Sequence, residues 1–200
     1  MNNVGEFLET IYDVIFKPKE AFQKFAQTPQ ILQACLVVFI TTTLSLIAIS
    51  AGSGGVSYRG GLIVLQLIGN FTTLFIMVAI WHLIAELMAG TGQVKSLLSV
   101  VGFSYFPQLL ITPIYLIASF LSADIAATLI LVATVVVVVW TFYLNFTGIK
   151  IVYQVTGAKA FLVMILPILV VAVILFLSFI LLGTMFMSIF NGTIPVPPTL

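Results

Sequence analysis

Two side chains four residues apart give the first hint of chemistry in this chain. His82, the single histidine, precedes Glu86, one of six acidic residues, in the stretch WHLIAELMAGTGQVK at 81–95. On a helix such a spacing puts both groups on one face, where they can pair, share a proton or hold a ligand. Glu86 is poorly placed on two counts. It borders an apolar run, and it stands near a helix C-terminus, where the backbone dipole disfavours negative charge. It therefore needs a cation or a proton. His82 is nearest in sequence, and Lys95, Lys150 and Lys159 are further candidate charge partners at the same end of the spans. The pair reads as an anchor for the helix end, as a ligand or proton site, or as a metal site. One imidazole and one carboxylate are too few ligands for a zinc cage, so no metal and no cofactor are expected.

Three more polar residues stand within apolar segments: Asn70, Gln108 and Asn145. Polar side chains in membrane spans usually hydrogen-bond between helices, each bond contributing about 1 kcal/mol. With His82 and Glu86 they form a candidate intramembrane polar cluster. The same residues could instead line a polar path, as in transporters. Nucleophile elbows, phosphate loops and catalytic triads are absent from the sequence, and no enzyme activity is expected. Cys35, the single cysteine, cannot form an internal disulfide and reads as a buried thiol.

The elements that must position these groups are membrane helices. Of 200 residues, 62% are hydrophobic and 6% charged, whereas a soluble domain carries about a quarter charged residues. The mean hydropathy is +1.27. Five apolar runs fall at about 31–50, 62–88, 97–121, 125–147 and 161–190, each about the 20 residues or more a spanning helix needs. The valine-rich run at 135–139 could suggest a strand, but in lipid an isolated strand leaves its backbone unpaired. The fold class is thus all-α, a polytopic bundle of five transmembrane helices. Pro107 and Pro113 should loosen the third span. A net charge of +1 gives no reason to expect nucleic-acid binding.

Residues 1–30 are polar and amphipathic, so no cleavable signal peptide is expected and the first run stays as a span. Two short helices are expected there. In VGEFLETIYDVIF, Val4, Phe7, Leu8, Ile11 and Ile15 share a face opposite Glu6, Glu9 and Asp13. In FKPKEAFQKF, Pro18 starts a second helix with Ala21, Phe22 and Phe25 as its apolar face. Anionic lipid would repel the acidic face of the first, so it should pack on the bundle. Six of the seven basic residues fall on the N-terminal side of the membrane and only Arg59 on the other. That bias places the N-terminus in the cytosol and residues 191–200 outside. Trp81, Trp140 and Tyr143 would form an aromatic belt at the inner boundary. TGQVK (91–95) leading to Pro107 and TGAK (156–159) leading to Pro167 hint at a duplicated helix pair.

FKPKEAFQKF before the first span, AGTGQVKSLLSVVGFSYFPQLL after the second, and GIK running into VTGAKA before the last helix come in an order that resembles the YIP family. These are five-span membrane proteins named for interacting with Ypt/Rab GTPases, and the chain is most similar to their compact prokaryotic branch. The resemblance runs from about Lys17 to the end of the fifth span. It implies a cytosolic N-terminus, a prokaryotic cytoplasmic membrane and a role in trafficking or membrane organisation. The partners it implies are the lipid bilayer and other membrane proteins, or the chain itself. Eukaryotic members look like carriers of a longer N-terminal region with a D-L-x-G-P-type motif. Residues 1–30 hold none, so GTPase binding does not carry over. The expected function is a non-enzymatic membrane-organising scaffold, and the alternative is a small transporter or lipid-handling protein.

Overall fold

A computed structural model describes residues 3–52 and 60–190, so the loop with Arg59 and the tail at 191–200 lie outside the described residues. The order is α1 (Asn3–Phe16), α2 (Pro18–Gln27), α3 (Ile31–Gly52), α4 (Gly60–Leu87), α5 (Val94–Phe103), a 3-10 turn (Phe106–Leu110), α6 (Ile111–Ala118), α7 (Ala123–Val152) and α8 (Gly157–Phe190). No strand occurs among the described residues. Among the described residues five spans are long and apolar enough to cross a membrane, the third built from α5, the turn and α6.

The core gathers at the lysine-bearing end. There α2 presses Phe22 and Phe25, both fully buried, between the spans, and Phe25 stacks on Phe103 of α5 at 4.9 Å. Pro18 occupies the first position of α2, where its missing N–H costs nothing. Lys24 of α2 pairs with Asp13 of α1 at 2.7 Å. The hydrogen bond to that carboxylate holds the Lys24 pKa above its ordinary value. α1 turns in Phe7, Ile11 and the fully buried Val14. Leu8, expected on the inner face, is 60% exposed and continues a second apolar strip through Tyr12 and Phe16.

The third span departs from a single kinked helix. It breaks at Ser104–Tyr105, ahead of both prolines. Pro107 then starts the 3-10 turn, and Pro113 sits in the first turn of α6, where no intrahelical N–H is needed. α5 lies between α3 and α7, and the approach to α7 depends on Gly148. A Cβ there would run into the Val100 side chain. Small residues at such crossings let backbones come close, which is how membrane helices gain packing energy. Trp81, expected in the aromatic belt, is instead 7% exposed in the bundle interior, while Tyr143 is exposed.

Beyond Pro167 the picture changes. Every residue of α8 from Ile168 to Met185 is exposed, on all faces of the helix.

Candidate functional site

The end of α4 closes in a Schellman turn. Gly90 N–H donates to Ala85 O and Ala89 N–H to Glu86 O, both at 2.9 Å, and Ala89 takes the left-handed conformation at φ 62°. α7 ends in a similar way, with Gln154 at φ 53° and Tyr153 N–H donating to Ile149 O at 3.1 Å. Each left-handed residue stands two places before a Thr-Gly pair. The resemblance between TGQVK and TGAK therefore extends to backbone conformation. The two turns also meet, since Thr91 N–H donates to Tyr153 O at 3.2 Å.

Tyr153 lies across the first of these turns and is 1% exposed. A Cβ on Gly92 would come within 2.8 Å of its ring and 2.7 Å of Val152 O, so glycine is what lets the phenol lie flat there. Its hydroxyl is 2.6 Å from His82 Nδ1, and His82 Nε2 is 3.3 Å from Glu86 Oε1. Ionised Glu86 can only accept. Nε2 therefore carries the proton, and in the neutral imidazole Nδ1 accepts from the Tyr153 O–H. Burial, and then the charge on Glu86, push the Tyr153 pKa well above the ordinary phenol range, so the phenol stays a donor. Carboxylate, imidazole and phenol thus form a relay that ends in a sealed side chain, which gives it the geometry of a latch.

The other residues singled out by sequence fall elsewhere. Lys159 donates to Met88 O at 2.9 Å, bringing a cation from α8 to the C-terminal carbonyls of α4. Lys95 and Lys150 are exposed. Among the described residues the partner of Glu86 is the His82 imidazole and not a lysine. Asn70 donates to Thr42 Oγ1 at 3.0 Å and so ties α4 to α3. Gln108 and Asn145 meet at a cavity of about 350 Å³ that Trp81 and Thr141 also line. Asn145 Nδ2 donates to Thr141 O at 3.0 Å. Tyr153 went unrecognised in the sequence because it lies just past the apolar run of the fourth span. The available signal was its place before a turn that copies the one after α4.

Among the described residues no group of three or more His, Cys, Asp or Glu side chains could hold a metal ion. The Yip1 domain model matches residues 12–191. The chain belongs to the Yip1 domain family. The matched region runs from within α1 to just past α8, so both turns, the latch and the cavity belong to the Yip1 domain itself. No curated protein and no solved structure matches the chain.

Proposed function

We propose that this Yip1-domain protein is a non-enzymatic, membrane-organising scaffold that works by docking other membrane proteins against the outer part of α8. The observation that carries this reading is the exposure of every residue from Ile168 to Met185. That segment is roughly 27 Å of helix, close to the ~30 Å thickness of the hydrocarbon core. A helix so exposed is stable in lipid, because its backbone is satisfied internally, and it offers side chains on every face to a second helix. In lipid such association is driven by van der Waals packing. The Lys159 contact with Met88 O ties the opposite end of α8 to α4, so the exposed arm has a fixed base.

The orientation belongs to the same reading: α1 and α2 in the cytosol of a prokaryotic cell, the outer end of α8 away from it. The excess of lysine on the α1 and α2 side supports this through the positive-inside rule. The experiment is photo-crosslinking in native membranes with a photoreactive residue at Val171, Leu175 or Leu182. Discrete protein adducts are expected from these positions and not from Val135 of α7. Adducts with lipid alone at all four positions would remove the support for docking on α8.

A further inference from the structure

The cavity between α4, the third span, α7 and α8 holds polar atoms that the protein leaves unused. Trp81 Nε1, Thr141 Oγ1 and Asn145 Oδ1 are all buried and without a hydrogen-bond partner. Trp81 and Asn145 are each 7% exposed. All three belong to residues that line this one space, and each calls for a partner, since buried polar groups are nearly always satisfied. At about 350 Å³ the space falls in the range of small-ligand sites. Nothing that lines it is charged. Val138 and Phe142 of α7 and Ile168 of α8 line it and are exposed within spanning segments, so this side of the space faces hydrocarbon.

The chemistry of the lining selects the ligand. A charged headgroup would be buried without a counter-ion, at large cost. An uncharged head is required. The indole N–H asks for an acceptor, the Asn145 carbonyl asks for a donor, and the Thr141 hydroxyl serves either role. A free hydroxyl beside an ester carbonyl meets both demands, and the apolar side suits an acyl chain. We propose that the cavity is a binding site for an uncharged glyceride, a mono- or diacylglycerol, entering from the bilayer between α7 and α8. The inference goes beyond the scaffold reading and does not depend on it.

Trp81 is its own reporter, because the only other tryptophan is Trp140. The full chain carrying Trp140→Phe is reconstituted into phosphatidylcholine vesicles. Trp81 emission is then titrated with diacylglycerol brominated on the acyl carbons next to the ester, and in parallel with equally brominated phosphatidylcholine. Quenching by diacylglycerol should saturate at low mole fraction, whereas quenching by phosphatidylcholine should rise without saturation. Thr141→Val keeps the shape and removes one hydrogen bond, and should raise the half-saturation point roughly three- to tenfold. Asn145→Leu should abolish saturation. Thr141→Val carries the test alone if the Asn145 variant does not fold. Identical, unsaturable quenching by both lipids would overturn the proposal, leaving a space filled by water or bulk lipid. Saturation unchanged in Thr141→Val would overturn it equally, by placing the glyceride elsewhere.

Discussion

Replacing Tyr153 by phenylalanine isolates the hydrogen bond at the centre of the latch. The ring stays packed on Gly90 and Gly92, so no cavity is created and the change is confined to one hydroxyl. His82 Nδ1 then loses its donor at 2.6 Å. The imidazole is only 23% exposed, so water replaces the phenol poorly, and a loss of about 1–3 kcal/mol is expected. Glu86 is 55% exposed and 3.3 Å from the ring, so Glu86→Gln should cost less, about 1 kcal/mol or below. His82→Ala removes both contacts. Combined with Tyr153→Phe it should cost less than the sum, because one interaction is counted twice. Denaturant unfolding of the purified protein in mild detergent measures each corner of the cycle. The pH dependence adds a sign. The folded-state pKa of Tyr153 lies above its ordinary value of 10.0, so the neutral phenol is favoured by folding. The advantage of wild type over Tyr153→Phe is therefore complete below pH 10. It shrinks by about 1.4 kcal/mol per pH unit as pH rises toward the folded-state value. A strictly additive cycle, or an advantage that grows above pH 10, would refute the latch.

Gly148→Ala should destabilise the bundle by about 1–3 kcal/mol through overpacking against Val100, and Val100→Ala in the same chain should recover part of the loss in the same unfolding assay. Replacing Phe7 and Ile11 of α1 by aspartate should lower the midpoint of thermal unfolding in detergent, since both pack on the core; an unchanged midpoint would mean that α1 contributes nothing to the bundle. With Cys35 removed, a cysteine at Ser57 or Thr193 should react with an impermeant maleimide from outside intact cells, and one at Gln93 or Thr156 only after permeabilisation. Labelling of Gln93→Cys in intact cells would reverse the proposed orientation.

The five spans were legible because length and hydropathy alone decide them in lipid. Helix ends were less so. α8 begins at Gly157 and not near Phe161, because Lys159 is carried inside its first turn with the ammonium on Met88 O. Inner faces were ambiguous wherever a helix had two apolar strips. Periodicity fits Leu8 as well as Val14 on α1, yet packing buries Val14 and leaves Leu8 out. α2 has one strip, and Ala21, Phe22 and Phe25 are buried as its pattern demands. At the candidate site, spacing brought His82 and Glu86 together because they share a helix. Tyr153 comes from seventy-odd residues away, and no local pattern encodes such a contact. Trp81 was misjudged for the same reason, since an aromatic residue near a span end can face lipid or the interior.

Docking on the outer part of α8 is the step on which the proposed function depends. It is tested most directly by replacing Ile168–Met185 with an all-leucine segment of equal length and purifying the tagged protein from native membranes in mild detergent. The replacement keeps a spanning helix and leaves the core, the latch and the cavity floor in place. Wild type should bring down at least one membrane protein in stoichiometric amount, and the leucine variant should lose it at unchanged thermal stability. Equal recovery of the same partner with both proteins would contradict the claim, as would no partner with either.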